Sequence, residues 1–325
     1  MGSRIVTTGA GLPEKIVSNA ELGRLIEGID DAWVVKRTGI RERRIVTGEN
    51  TSDLAAGASR QVLERSGTDA KEIDLIVAAS ITPDYQSPNL ASMVQRQLGA
   101  DNAVCFVVSA ACSGFMFALS VADKYVSAGL AKRAIVIGAE VLSKATDWED
   151  KNTCVLFGDG AGAVLLESSD KPSILQEEMG SKGSKSNVLT SGYSPAANPF
   201  NETEPVKPED AYIRMDGLEV FSFAVKRLSA GIVSVLDKEG LSLKEIKYIV
   251  PHQANLRIID AVAKRLSAPM DKFYMNLERF GNTSSASIPI ALNELNGQGK
   301  LQRGDKLILA GFGGGLTWGT MLIEW

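Results

Sequence analysis

Hydrophobic and polar positions along this chain alternate in blocks that predict strands followed by helices. Largely apolar runs at 73–79, 104–108 and 131–139 are typical of strands that are covered on both faces of a sheet. Between these runs apolar positions recur at helical spacing, as with Leu54, Ala58 and Val62 before Gly67, and again over 90–98. Strands that alternate with helices indicate an α/β protein with a mostly parallel sheet.

Two stretches depart from this rhythm. The glycine-rich segment 154–167 predicts two strands joined by a tight turn, because a second apolar run rather than a helix follows the glycines, which argues against a dinucleotide-binding loop. Residues 168–216 are rich in Ser, Asn, Pro, Lys and Glu and show little periodicity, so we expect an irregular connector or lid there. A helical pattern returns over 220–236.

The pattern of the first half then starts again with an offset of 173 residues. The segment Lys-Glu-Ile-Asp-Leu-Ile-Val at 71–77 recurs as Lys-Glu-Ile-Lys-Tyr-Ile-Val at 244–250. The same offset carries 111–113 onto 284–286 and 133–138 onto 306–311. Three landmarks at one offset predict a duplicated unit, with halves at 1–172 and 173–325 that pack as an internal pseudo-dimer.

Composition narrows the class of protein. The 325 residues are 44% hydrophobic and 23% charged, which is typical of a globular protein. A net charge of −4 gives no overall basic field for nucleic acid. Three cysteines do not make a disulfide framework, and no apolar run approaches the roughly 20 residues of a membrane span. We therefore expect a cytoplasmic protein that binds neither nucleic acid nor membrane.

Candidate chemistry lies on three turns. Cys112 follows the 104–108 strand at the start of a helix, where unpaired N–H groups and the helix dipole favour a thiolate, although a buried structural cysteine is the commoner interpretation. His252, the one histidine of the chain, follows the strand at 244–250, and Asn282 lies where the repeat places the counterpart of the cysteine turn. If the halves pack as predicted, a nucleophile and two polar partners converge.

Six segments together carry a resemblance to a known family. These are 33–44, 110–115, 157–163, 251–257, 280–287 and 311–319, and with them the chain resembles the β-ketoacyl-acyl carrier protein synthase III family over nearly its full length. The resemblance implies a thiolase-like α/β fold, with two similar αβαβα-layered halves related by a pseudo-twofold axis. It also implies a homodimer, with no metal and no bound cofactor, that takes acyl-CoA as a substrate.

The family's reaction supplies a role for each of these residues. Cys112 takes the acyl group of a short acyl-CoA, and malonyl-acyl carrier protein then enters and loses CO2. His252 and Asn282 donate hydrogen bonds to the enolate oxygen that forms, and the carbanion attacks the acyl-Cys112 thioester. The backbone N–H groups of Cys112 and Gly314 form the oxyanion hole. The product is a 3-oxoacyl-acyl carrier protein that initiates fatty acid synthesis.

Binding residues are implied by the same resemblance. The expected contacts to CoA are Trp33, Arg37, Lys151 and Asn255. The expected docking residues for the acidic carrier protein are Arg257, Lys264 and Arg265. In acetyl-selective members a phenylalanine from the neighbouring subunit narrows the acyl pocket, and Ser87 stands at the matching position here, so we expect a roomier pocket.

Three other interpretations compete with this one. A cysteine hydrolase also uses Cys, His and Asn in this order, but the chain lacks such a family's motif around Cys112. A thiolase-fold synthase of a secondary-metabolite pathway would share the fold and the cysteine chemistry and differ in its acceptor. A non-catalytic scaffold that binds CoA or carrier protein would not need the intact set of Cys112, His252 and Asn282.

Overall fold

A computed structural model describes residues 2–196, 198–200 and 207–325. The strands in these ranges are β1 (Gly2–Gly11), β2 (Ile16–Ser18), β3 (Glu42–Arg44), β4 (Leu75–Ala79), β5 (Val104–Val108), β6 (Arg133–Glu140), β7 (Gly160–Ser169), β8 (Ile174–Ser181), β9 (Leu189–Thr190), β10 (Arg214–Met215), β11 (Ile246–Pro251), β12 (Lys306–Gly313) and β13 (Thr317–Glu324). The α-helices are α1 (Asn19–Leu25), α2 (Asp31–Thr38), α3 (Thr51–Ser66), α4 (Leu90–Leu98), α5 (Gly114–Ser127), α6 (Gly217–Glu239), α7 (Leu256–Leu266), α8 (Leu277–Phe280) and α9 (Ser287–Gly297). None of these helices is long and apolar enough to cross a bilayer.

Two mixed sheets form the frame. The first has the order β1-β7-β6-β4-β5, in which β4 is parallel to both β5 and β6, and β7 is antiparallel to β1 and β6. The second has the order β11-β12-β13-β8, in which β11 and β12 are parallel and β13 is antiparallel to both of its neighbours. The order β4-β6-β7-β1 in the first sheet therefore matches β11-β12-β13-β8 in the second, and β5 is an additional edge strand of the first sheet.

The predicted offset of 173 residues relates the elements around the Cys112 turn to those around the turn at 284–286. Strand β6 maps onto β12, and the first residue of α5 maps onto the first residue of α9. A 3-10 turn precedes each of these helices, over Ala111–Ser113 and Ser284–Ala286. Both turns begin with a left-handed residue, Ala111 with φ 46° and Ser284 with φ 49°. The two halves thus share even an uncommon backbone feature.

Burial of both sheet faces produces a five-layered arrangement. Alternate residues of β4 face opposite ways, so Ile76 packs outward with α3 and α4, and Val77 packs inward with α5 and α9. The inward cluster continues into the second sheet through Leu307 of β12, and the outer face of that sheet packs against α6 and α7. Helices α5 and α9 therefore lie between the sheets, and the turns that precede them lie between the halves.

The expectation of a strand at 154–157 is wrong. These residues form turns that end in an isolated bridge between Phe157 and Asn282, and the first regular strand after them is β7. Arg43 is the physical reason, because its fully buried guanidinium donates to the carbonyl oxygen of Val155 at 2.8 Å and holds the chain in a turn. An apolar run therefore packs into the core here without joining a sheet.

The expectation of an irregular connector over 168–216 needs correction as well. Strand β7 extends to Ser169, β8 pairs with β13 at the edge of the second sheet, and β9 pairs with β10. Strand β8 is half-exposed along most of its length and therefore contains many polar residues. Without an apolar run, this edge strand was not predicted from the sequence. Residues 197 and 201–206 of this segment lie outside the described residues.

Candidate active site

A cavity of about 990 Å3 lies where the two halves meet. Its inner wall includes Cys112 from the turn before α5, His252 from the end of β11, and Asn282 from the turn before α9. Gly314, just after β12, lies beside them. The structure therefore brings together the residues that the sequence analysis placed on separate turns.

Cys112 is half-buried in the turn between β5 and α5. The second half closes on this turn so tightly that a Cβ on Gly313 would lie 2.5 Å from the backbone nitrogen of Cys112. Burial raises the pKa of the Cys112 thiol to about 12, against a hydrogen bond with Ser284 that lowers it, and the negative charge of Glu140 raises it further. The expected thiolate is therefore wrong for the resting protein, because the loss of solvation outweighs the helix terminus.

His252 is fixed by its surroundings on several sides. Its backbone N–H donates to the carbonyl of Ala310 at 2.8 Å, and its ring lies edge-on to Phe312 with centroids 5.3 Å apart. Nδ1 lies 2.7 Å from the hydroxyl oxygen of Ser287. Burial lowers the pKa of His252 to about 3, so the imidazole is neutral at physiological pH. Nε2 is the ring nitrogen left to serve the cavity.

Asn282 is held in position by the turn around residues 154–158, part of which was predicted to be a strand. Its backbone N–H donates to the carbonyl of Leu156 at 2.8 Å, and its own carbonyl accepts from the N–H of Gly158 at 3.0 Å. The side-chain oxygen Oδ1 accepts from the backbone N–H of Ser284 at 2.8 Å. This bond fixes which end of the carboxamide is the oxygen, so Nδ2 is the end that can donate to a ligand.

A buried carboxylate behind this turn joins the two halves. Glu140, at the end of β6, is fully buried, and burial raises its pKa above the usual range. It accepts hydrogen bonds from the hydroxyls of Ser80, Thr82, Ser284 and Ser285 and from the backbone N–H groups of Ile81 and Thr82. The sequence analysis missed Glu140, because a lone acidic residue at a strand end carries no signal of such partners.

The outer part of the cavity carries three of the basic side chains predicted to bind substrate. Arg37 lies over the ring of Trp33, with its guanidinium carbon 4.1 Å from the ring centroid. Asn255 donates from Nδ2 to the carbonyl of Arg37 at 3.2 Å, which ties α7 to α2. Lys151 and Arg257 also line the cavity. The cavity that contains Cys112 is therefore also lined by Trp33, Arg37, Lys151 and Asn255.

Three predicted residues lie away from the cavity. Lys264 and Arg265 are exposed on α7, and Lys264 pairs with Asp260 at 2.6 Å. Ser87 is exposed in the segment between β4 and α4 and does not line the cavity of its own chain. Leu142 and Phe157 are apolar residues that do line the cavity and were not predicted. In the sequence, an apolar residue that lines a cavity cannot be distinguished from one in the hydrophobic core.

Comparison with known proteins decides the family. Family models described as 3-oxoacyl-[acyl-carrier-protein (ACP)] synthase III and its C-terminal part match residues 106–183 and 236–325. A β-ketoacyl-[acyl-carrier-protein] synthase III of Clostridium acetobutylicum is 47% identical over 99% of this chain and 98% of that protein. The chain belongs to the 3-oxoacyl-[acyl-carrier-protein] synthase III family.

Solved structures agree with this assignment. The crystal structure of the synthase III from Aquifex aeolicus superposes with a TM-score of 0.92 at 42% identity and covers all of both chains. The priming β-ketosynthase of the R1128 polyketide pathway superposes with a TM-score of 0.91 at 35% identity, over 99% of this chain and 96% of that one. The predicted thiolase-like α/β fold of this synthase is confirmed.

Family membership also fixes the class of chemistry. This synthase is an acyltransferase of the condensing type, and the family carries out the carrier-protein-dependent condensation that initiates fatty acid synthesis without a bound cofactor. The cysteine-hydrolase and scaffold interpretations are therefore wrong. Over the described residues, no three His, Cys, Asp or Glu side chains group in a way that could hold a metal ion.

Proposed function

We propose that this synthase condenses a short acyl-CoA with malonyl-acyl carrier protein through an acyl group held on Cys112. One observation carries the proposal. A single cavity is lined by a nucleophilic sulfur and two neutral polar side chains at its inner end, and by Trp33 and Arg37 farther out. The volume of about 990 Å3 is large enough for a substrate that contacts both Trp33 and Cys112.

In the first half-reaction the Cys112 sulfur attacks the thioester carbonyl of acyl-CoA. The S–H bond of Cys112 breaks and the new C–S bond forms, while the bond between the acyl carbon and the CoA sulfur breaks. Cys112 loses one proton, and CoA gains one and leaves as the thiol. The negative oxygen of the tetrahedral intermediate is held by the backbone N–H groups of Cys112 and Gly314, which the close approach of Gly313 to the cysteine turn supports.

In the second half-reaction malonyl-acyl carrier protein occupies the same cavity. The bond to its carboxylate breaks, CO2 leaves, and negative charge develops on the thioester oxygen. Nδ2 of Asn282 and, once it carries a proton, Nε2 of His252 donate hydrogen bonds to that oxygen, since Oδ1 and Nδ1 are engaged with Ser284 and Ser287. The carbanion then attacks the acyl-Cys112 carbonyl, and the sulfur leaves.

The outer contacts divide between CoA and the carrier protein. Trp33, Arg37, Lys151 and Asn255 bind CoA, with the indole ring as the stacking surface for the adenine. The acidic carrier protein docks on Arg257 at the cavity and on Lys264 and Arg265 farther along α7. Arg257 is the strongest of these assignments, because it is exposed and also lines the cavity.

The exposed edge of the first sheet supports a homodimer. Among the described residues β5 pairs only with β4, and its side chains are Val, Cys, Phe, Val and Val. Val104 is 59% exposed. An apolar strand with an unpaired edge associates unless it is covered, and pairing β5 with its twofold copy covers it. A Val104→Lys variant tests this by light scattering: a mass of one chain for the variant and two for the wild type is expected.

The dimer also gives Ser87 a role. Residues 85–88 are exposed together, so a neighbouring chain can receive them, and Ser87 then shapes the acyl pocket of the partner active site. A small hydroxymethyl side chain leaves the pocket roomier than a phenylalanine does. The protein works in the cytoplasm, where its three free cysteines stay reduced.

Reconstitution tests the reaction. Purified protein is incubated with acetyl-CoA or longer and branched acyl-CoA primers and malonyl-acyl carrier protein, and the carrier-bound product is weighed by mass spectrometry. We expect 3-oxoacyl-carrier protein, with longer or branched primers accepted alongside acetyl. Free acid in place of the condensed product contradicts the proposal. Use of only a dedicated secondary-metabolite carrier protein supports the alternative that the likeness to the R1128 priming ketosynthase raises.

A further inference from the structure

Ser287 is a buried polar residue of the active site to which the reaction scheme above gives no task. It is the first residue of α9 and 2% exposed. Its hydroxyl oxygen lies 2.7 Å from Nδ1 of His252, 2.9 Å from the carbonyl oxygen of Ser284, and 3.4 Å from the backbone nitrogen of Gln253. These contacts determine where the imidazole carries its proton.

The hydroxyl of Ser287 has one proton, and the two nearest partners compete for it. The Ser284 carbonyl can only accept, so the 2.9 Å contact is a hydrogen bond only when Ser287 donates to it. The 2.7 Å contact is then a hydrogen bond only when Nδ1–H of His252 donates to the Ser287 oxygen. Both short contacts are satisfied by this one assignment. A neutral imidazole carries one proton, so Nε2 has none.

We propose that Ser287 is a positioning residue that holds His252 in the Nδ1–H tautomer, so that Nε2 enters the reaction as the proton acceptor for the Cys112 thiol. This inference deepens the proposed function and rests on it. When the sulfur attacks acyl-CoA, the S–H bond breaks and an Nε2–H bond forms, and that proton then passes from Nε2 to the CoA sulfur, which leaves as the thiol.

In the second half-reaction the malonyl carboxylate brings a negative charge into the cavity, which favours a protonated imidazole, and Nε2 gains a proton from solvent. Nε2–H then donates to the enolate oxygen of the decarboxylating malonyl group. When the tetrahedral intermediate collapses, the Cys112 sulfur leaves as a thiolate and takes that proton from Nε2. One imidazole thus acts first as acceptor and then as donor, and Ser287 sets the order.

The chain offers an unusually direct test, because it contains one histidine. Protein labelled with ¹⁵N-histidine gives the nitrogen signals of His252 alone, and long-range correlations to the ring protons identify which nitrogen carries hydrogen. In the full-length wild type we expect a protonated Nδ1 and an unprotonated Nε2. Protonation of Nε2 in the wild type overturns the proposal, whatever the result of the condensation assay.

A Ser287→Ala variant removes the acceptor. Nδ1–H then faces a methyl group, so the proton moves to Nε2, where the cavity supplies partners. We expect the ¹⁵N pattern to reverse and acylation of Cys112 to slow by about 10²-fold, while decarboxylation of the malonyl thioester stays within about threefold. Equal loss of both half-reactions with an unchanged tautomer means a structural role only and overturns the inference.

Two further variants separate the tautomer from stability. Ser285→Ala is the matched control, because Ser285 lies on the turn just before α9, is also buried, and bonds Glu140 and the Ala79 carbonyl rather than His252. Its ¹⁵N pattern should match the wild type. Ser287→Thr restores a hydroxyl and should restore the Nδ1–H form even where its extra methyl lowers stability. Reversal of the pattern in Ser285→Ala contradicts the proposal.

Discussion

Replacing Glu140 tests whether one buried carboxylate holds the two active-site turns together. In Glu140→Ala the hydroxyls around it can turn to other acceptors, as Ser285 can toward the Ala79 carbonyl at 3.0 Å. The backbone N–H groups of Ile81 and Thr82 cannot turn. Two stranded N–H groups at about 1–3 kcal/mol each, with the cavity left by the side chain, give an expected loss of about 4 kcal/mol in the free energy of unfolding.

Glu140→Gln keeps most of this arrangement. Its amide oxygen can accept from Ile81 and Thr82, and its NH2 group can donate to the hydroxyls of Ser284 and Ser285, which then act as acceptors. The expected loss is about 1 kcal/mol. Asp260→Ala is the surface control, since it removes an exposed carboxylate that pairs with Lys264, and we expect a change within about 1 kcal/mol.

Urea unfolding at neutral pH, followed by far-ultraviolet circular dichroism, measures all three variants. The two Glu140 variants should also differ in catalysis, because the Ser284 N–H that orients Asn282 belongs to the turn that Glu140 holds. Glu140→Gln should keep condensation within about tenfold of the wild type, and Glu140→Ala should lose about 10²-fold or more. Equal stability of Glu140→Ala and Glu140→Gln would refute the reasoning.

Three other predictions concern single groups of the site. Asn282→Ala should lower the rate of condensation by about 10²- to 10³-fold while Cys112 still takes an acyl group, as acylation and product assays on one preparation will show. Because burial raises the pKa of Cys112 to about 12, alkylation of the free enzyme by iodoacetamide should rise about tenfold for each pH unit from about pH 7 to about pH 10, and a plateau near pH 8 would contradict that pKa. Trp33→Ala should raise the KM for acetyl-CoA about tenfold with kcat within about threefold, in line with a loss of about 1.4 kcal/mol of stacking, and a fall in kcat alone would place the indole elsewhere in the reaction.

The sequence predicted the parts of this site that local pattern and repetition encode. The 173-residue offset located the Asn282 turn opposite the Cys112 turn, because duplicated halves place equivalent turns around a common axis. The strand before His252 was evident because residues 244–250 repeat the pattern of residues 71–77. Both features depend on patterns within the sequence, which a single chain displays.

Features that depend on distant partners were not predictable. Glu140 acquires its role from Ser284 and Ser285, more than a hundred residues away. The apolar segment 154–157 was taken for a strand, because nothing local shows that buried Arg43 binds the carbonyl of Val155. The expectation that Cys112 is a thiolate failed for the same reason. A helix terminus can be recognised in the sequence, but the loss of solvation around the sulfur depends on distant residues.

Covalent acylation tests the central claim most directly. The protein is incubated with acetyl-CoA, its intact mass is measured, and the modified peptide is identified; malonyl-acyl carrier protein is then added. We predict one acetyl group per chain, on Cys112 and not on Cys105 or Cys154, that disappears when the carrier protein gains the condensed product. An acetyl group on either of the other cysteines, or a chain that stays unmodified while product forms, would contradict it.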